Sequence, residues 1–184
     1  FTCDVYKRED GRNFVCSPPM KGQESQDALW KAIRMNLIDT VATDHCPFQS
    51  YEKDWGKDDF TKIPNGCAGV ENLYPYMLDA ANSGKITFPQ AVALCATNPA
   101  NIFGCDKKGS LVVGKDADIV IYDKEKDFKI TLESMHSDYD HTIWEGKELH
   151  GYPVQTYLRG QLVYDNGDFV GKPGMGKYVK RVPR

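Results

Sequence analysis

The sequence predicts an α/β layer that gives way to a small antiparallel β layer, and three observations carry that reading. An apolar run at Phe14–Cys16, a helical stripe after Ser25 and a second apolar run at Leu37–Thr43 follow one another as strand, helix, strand. Long polar segments rich in Gly and Pro then separate further helical stretches. After Gly104 the pattern changes to short strand-like runs joined by Gly-rich turns. The 184 residues fit one domain or a domain with a small appendage. The boundary is expected near residue 105, dividing 1–104 from 105–184.

Each element has a local reason. Phe14-Val15-Cys16 is stopped by Ser17-Pro18-Pro19, because proline cannot donate to a ladder. Ala28, Leu29, Ala32, Ile33 and Met35 form a helical stripe over about Ser25–Met35, with Asp27 in the first turn to favour the dipole. Leu37–Thr43 is nearly all apolar or β-branched, as expected of a strand buried on both faces. Such a βαβ order usually yields a parallel sheet. The polar stretch Asp44–Gly69 is long for an idle connection. A helix over about Val70–Asn82 follows, then another opened by the capping box Thr87-x-x-Gln90 with Pro89 in its first turn. Asn98-Pro99 starts a further short helix that Gly104 can close. Beyond it, Ser110–Val113, Ala117–Tyr122, Lys129–Leu132, Val154–Leu158 and Gln161–Tyr164 read as strands, and Asp165-Asn166-Gly167 as a hairpin turn.

Composition narrows the function. Lys+Arg 23 against Asp+Glu 26 gives a net charge of −3, without the basic excess of a dedicated nucleic-acid binder. A hydrophobic content of 41% supports a real core and excludes overall disorder. No apolar run approaches the ~20 residues of a membrane helix. The first residues, Phe-Thr-Cys-Asp, show neither a signal-peptide pattern nor an initiator Met, so the chain is expected to start inside a longer protein. Six cysteines lack any CxxC pair and several sit in apolar stretches, which points to free thiols in a reducing, cytoplasmic protein and away from a zinc ribbon.

Thr43-Asp44-His45-Cys46-Pro47 is the sharpest local feature. It sets an acid and an imidazole at the C-terminal end of a buried strand, where α/β folds build their sites. An Asp there can bind a metal through one oxygen and take a proton from water through the other. The plainer alternative makes Asp44 a turn cap and His45 a satisfied, half-buried imidazole. Asp116-Ala117-Asp118 can in principle chelate a cation, but its place before a strand favours a turn. Asp123–Asp127, a mixed charge run, reads as a solvated turn, and Trp30, Tyr74 and Tyr76 as helix packing.

Several segments resemble the dihydropyrimidinase and D-hydantoinase family. They are Ser17-Pro18-Pro19, Asp27-Ala28-Leu29-Trp30, Thr40-Val41-Ala42-Thr43-Asp44-His45-Cys46-Pro47-Phe48 and the stretch from Gly56-Lys57-Asp58-Asp59-Phe60 to Ile63-Pro64-Asn65-Gly66. The likeness continues through Asn98–Gly104 and Gly114–Val120 to Phe169–Gly174, so it covers essentially the whole chain in order.

The resemblance implies the C-terminal part of a (β/α)8 TIM barrel followed by strands of a small β-sandwich domain. It implies a binuclear zinc hydrolase that opens the ring amide of dihydropyrimidines or hydantoins. Asp44 matches the aspartate after the eighth barrel strand that binds one metal and acts as general base. Ser17 matches the residue after the seventh strand whose backbone contacts the substrate ring, and Asn65 a loop residue whose backbone also holds the ring amide. His45 then supports the site by hydrogen bonding. The family's other metal ligands, a His-x-His, a carboxylated lysine and two histidines, lie upstream of the matched region. His136, His141 and His150 fall in the predicted β layer, so the isolated chain is expected to lack hydrolase activity. Collapsin response mediator proteins share the architecture but carry a non-ligating residue at the position of Asp44 and alter Pro64-Asn65-Gly66, so the enzymatic branch is favoured. Allantoinases and dihydroorotases share the Asp-His pair but match poorly over Gly56–Gly66. A non-catalytic fragment or assembly module is the other alternative. The tail Lys172–Arg184 carries five basic residues and no acid; the resemblance suggests that it packs on a neighbouring subunit of a homo-oligomer, a dimer or tetramer, rather than on nucleic acid. No membrane partner is expected.

Overall fold

The structure, a computed structural model, describes residues 1–182. The chain divides into two compact units, each discontinuous in sequence. The first comprises Phe1–Met35, Ala42–Leu73 and Lys129–Lys147; the second comprises Asn36–Val41, Tyr74–Phe128 and the residues from Glu148 onward.

In the first unit, α1 (Gln23–Arg34) and α2 (Ser50–Lys53) are joined by extended chain and flanked by single 3-10 turns. The α1 helix agrees with the predicted span, but its buried face runs through Trp30 and Ile33, while Leu29 and Met35 are exposed. Phe14 is buried and packs edge-on against Phe1, whose ring also meets Trp144, at 5.4 and 5.2 Å between centroids. Phe14, with Trp30, Ile33, Ile63 and Ile130, makes the core of the unit. The α2 helix is only one turn long. It is held by a capping box between Gln49 and Glu52, and by Gln49 and Ser50 bonding to Asp138 and Asp140.

Two predicted strands are not strands here. Phe14 closes a 3-10 turn, and the carbonyl of Val15 accepts from Gly66 N–H rather than from a parallel ladder. Leu37–Thr43 makes no ladder either. In the second unit its Val41 N–H bonds to Leu94 O and its Asp39 O accepts from the Asn98 amide. A strand exists only through a neighbour's hydrogen bonds, and the one isolated parallel bridge among the described residues, His45–Cys67, lies outside both segments.

The second unit contains α3 (Leu73–Asn82, Leu73 itself lying in the first unit), α4 (Phe88–Val92) and α5 (Asn98–Ile102). Met77, Leu78, Ala80 and Ala81 of α3 are buried, and the two larger side chains each contribute roughly 1.5–3 kcal/mol by leaving water. The α3 helix starts three residues later than predicted. The capping box is formed as predicted: Gln90 N–H donates to Thr87 Oγ1 and Thr87 N–H to Gln90 Oε1. The predicted break before Asn98 is absent. A π-helical turn over Ala93–Thr97 links α4 to α5, so that Pro99, which has no N–H, is absorbed within the run.

The β layer is a four-stranded sheet of β1 (Ile119–Lys129), β2 (Glu148–Leu158), β3 (Gln161–Asp165) and β4 (Asp168–Phe169), in that spatial order. β3 is antiparallel to both of its neighbours. Arg159-Gly160 and Asn166-Gly167 all have positive φ, which the tight turns β2–β3 and β3–β4 require. Three further expectations are corrected. Asp123–Asp127 is part of β1, and its charges suit an edge strand that faces water. Ser110–Val113 is an exposed loop, and Lys129–Leu132 only ends β1 before a 3-10 turn. Asp116 and Asp118, where the sequence favours a turn over a cation site, both pair with Lys108, and Asp118 also accepts Arg159 N–H. The six cysteines are free. The basic tail returns Val182 N–H to Gly104 O, and its last two residues, Pro183 and Arg184, lie outside the described residues.

Candidate active site

Ser17, Asp44 and Asn65 all belong to the first unit, on three segments that bond to one another directly. Gly66 N–H donates to Val15 O at 3.0 Å, joining the Asn65 segment to the one that leads into Ser17. Cys46 N–H donates to Cys67 O at 3.2 Å, joining the Asp44 segment to the other side of Asn65. Gly66 is required at this junction, since a Cβ there would stand 2.3 Å from Cys46 O. All three candidate residues are exposed, on a buried support made by Phe14, Ile63, Gly66 and Ala68.

Asp44 adopts φ 45°, a left-handed conformation that Asp tolerates better than most side chains. A non-Gly residue held there commonly marks a functional position. The neighbouring His45 is committed locally: its Nδ1 accepts N–H bonds from Gly69 at 3.1 Å and Val70 at 3.2 Å. Accepting both N–H bonds on Nδ1 puts the ring proton on Nε2, and the imidazole braces the turn.

Around this cluster the charges are tightly arranged. Burial opposes the charge on Glu71, but bonds from Ser137 Oγ and from the N–H and ring of His136 outweigh it and hold the carboxyl below its usual range. Burial likewise opposes ionisation of Asp140, yet Ser50 and His141 donate to it and bring it down to about 2. The Cys67 thiol is pushed up to about 12 by burial and the nearby Cys16, so it is neutral and no candidate nucleophile. A concavity of about 630 Å3 lined by Arg12, Asp54, Lys57, Asp59 and Phe60 contains none of the three candidates.

The predicted site omitted one residue that the structure sets at its centre. Lys53 is fully buried and donates to Val15 O, Pro64 O and Gly66 O. A lysine inside the polar stretch 44–69 reads as solvated, so the sequence offered no signal for it. His136 and His141 lie in the first unit rather than in strands; only His150 is in the sheet. Among the described residues no three His, Cys, Asp or Glu side chains come together to hold a metal ion. A zinc centre with three or four protein ligands per ion therefore does not fit the residues of this chain alone.

The profile of the amidohydrolase family matches residues 4–163. The chain belongs to the amidohydrolase family. This amidohydrolase chain is 40% identical over 175 residues to the D-hydantoinase of Ralstonia pickettii, a match covering 94% of the chain and 38% of that enzyme. A solved D-hydantoinase superposes with TM-score 0.95 at 39% identity, over 98% of the chain and 40% of its own. The crystal structure of dihydropyrimidinase from Brevibacillus agri NCHU1002 gives TM-score 0.94 at 38% identity, again with 98% and 40% coverage. The chain thus spans about 40% of the length of the relatives it matches. No helix among the described residues is long and apolar enough to cross a membrane.

Proposed function

We propose that this chain is the C-terminal portion of a metal-dependent cyclic amidohydrolase that opens the ring amide of hydantoins or dihydropyrimidines. The observation that carries the reading is the joining of the Ser17, Asp44 and Asn65 segments by the Val15–Gly66 and Cys46–Cys67 hydrogen bonds, in a chain 40% identical to a D-hydantoinase. Residues 1–104 form the end of a (β/α)8 barrel in this reading, and 105–184 part of a β-sandwich. Water adds to the ring carbonyl, the C–N bond breaks, and the ring nitrogen leaves with a proton. Asp44 is the group of this chain that accepts the proton from the attacking water, and it supplies one ligand to a zinc site whose remaining ligands come from elsewhere. The backbones of Ser17 and Asn65 hold the ring amide and fix which carbonyl faces the attack. The whole enzyme is a cytoplasmic homo-oligomer, with the basic tail at a subunit contact.

The test is turnover of hydantoin and dihydrouracil by the full-length protein and by Asp44→Asn. Asn tolerates the same left-handed backbone and keeps the size, so the variant removes charge without adding strain. Its kcat should fall by at least about a hundredfold, the scale of a lost general base. Unchanged kcat in Asp44→Asn would overturn the role of Asp44, and a wild type inactive on every cyclic amide would overturn the reading. The 184-residue chain alone should hydrolyse neither compound and should carry almost no zinc.

A further inference from the structure

The buried cation beneath the candidate site has a geometry that packing does not explain. Lys53 Nζ lies 2.9 Å from Val15 O, 2.7 Å from Pro64 O and 2.8 Å from Gly66 O. An ammonium has three protons, and these three carbonyls use all of them. The ring of Phe48 lies 5.3 Å away, and Cys67, Cys16 and Cys46 are also near, with no carboxylate among the partners that hold the charge. Burying an ammonium on such partners is costly, and an unbranched apolar side chain would fill the same space.

What the three bonds do follows from peptide planarity. The acceptors come from both segments that flank the candidate contacts: Val15 precedes Cys16-Ser17, while Pro64 and Gly66 bracket Asn65. These peptides are trans, the one cis bond among the described residues being Ser17–Pro18. In a trans peptide the C=O and N–H point in opposite directions. Holding Pro64 O on Lys53 therefore turns Asn65 N–H away from Lys53. Holding Gly66 N–H on Val15 O, at 3.0 Å, turns Asn65 C=O away as well. One donor and one acceptor, adjacent on a residue that is itself exposed, then face away from the held segment. That pair is the complement of the –CO–NH– edge of a cyclic amide.

We propose that Lys53 is the positioning residue of the substrate-binding backbone: by gripping the carbonyls of Val15, Pro64 and Gly66 it aims the Asn65 N–H and C=O at the ring amide. The proposal rests on the reading of Asn65 given above. Lys53 touches neither ring nor metal and acts through the backbone it holds.

The experiment uses the full-length protein and Lys53→Met, which keeps the stem and removes the ammonium. Amide exchange is followed at Gly66 and Cys46, whose N–H groups donate to Val15 O and Cys67 O, and steady-state kinetics on hydantoin. Loss of the grip should speed exchange at those two amides by about tenfold while the α3 amides of the second unit stay as they are. kcat/KM should fall by about a hundredfold, mostly through KM, because the ring is misplaced rather than the chemistry removed. Zinc content should be unaltered. Leu78→Ala, a core truncation in the second unit, controls for lost stability and should leave KM unchanged. Unchanged exchange at Gly66 and Cys46 would overturn the grip whatever the activity does. Faster exchange with a wild-type KM would overturn the positioning role. A wild type inactive on cyclic amides would instead remove the functional reading, and the exchange measurement would still decide the grip.

Discussion

Asp44 and Asp140 are two carboxylates with opposite assignments, and the difference is legible only from their neighbours. Asp44 sits exposed at φ 45° on a turn that His45 braces through the Gly69 and Val70 amides. Asp140 is engaged by Ser50 and His141, so its folded-state value of about 2 lies below the ordinary 3.8. Folding thus favours its ionised form, and that stabilisation is complete above pH 3.8 and lost as the pH falls toward 2. Thermal melts of the full-length protein and of Asp140→Asn between pH 5 and pH 2, roughly the window in which such a carboxylate titrates, should show a wild-type advantage that closes as the acid limit is approached. A gap that stays constant over that range would remove Asp140 from the acid response. The carboxylate is half exposed, so screening makes the gap modest. Asp44 stands out in the sequence because it ends an apolar run; Asp140 does not, because its partner Ser50 is 90 residues away in the chain.

Elements whose cause is local were readable, and those whose cause is a distant partner were not. The Thr87–Gln90 capping box needs only four consecutive residues, and it forms as the pattern requires. Thr87→Ala should therefore destabilise the second unit by about 1 kcal/mol in denaturant unfolding; a change within error would mean that α4 is held by packing alone. The turn at Asn166-Gly167 was legible for the same reason, since only certain residues accept positive φ. By contrast, Leu37–Thr43 has the composition of a buried strand but makes no ladder, because β structure depends on a second segment. The charged run at 123–127 is the converse case. Its composition argues for a turn, and pairing with β2 draws it into an edge strand instead.

At the scale of the whole molecule, apolar side chains lie where water meets them. Leu37 is 67% exposed, Phe60 80%, Leu111 72% and Val113 fully so. Leu29 on α1 and Met35 just after it are exposed as well, and so many exposed apolar side chains invite association. The segments Phe14–Cys16 and Leu37–Thr43 add backbone groups that no ladder satisfies. The 184-residue chain on its own should self-associate or precipitate. Sedimentation velocity would settle this, and a monodisperse monomer that melts cooperatively would contradict it.

The sequence by itself determined the family, through ordered motifs from Ser17 to Gly174, and the elements whose hydrogen bonds close within a few residues: α1, the Thr87 cap and the Asn166-Gly167 turn. It also named Ser17, Asp44 and Asn65 as residues to watch. Only the tertiary structure brought their three segments together through Val15, Gly66, Cys46 and Cys67, and only it set Lys53 beneath them. The physical reason is the same in each case. A cap or turn is satisfied by near neighbours, which a sequence displays in order, whereas a buried cation is satisfied by carbonyls, which every residue carries and no pattern of side chains reveals.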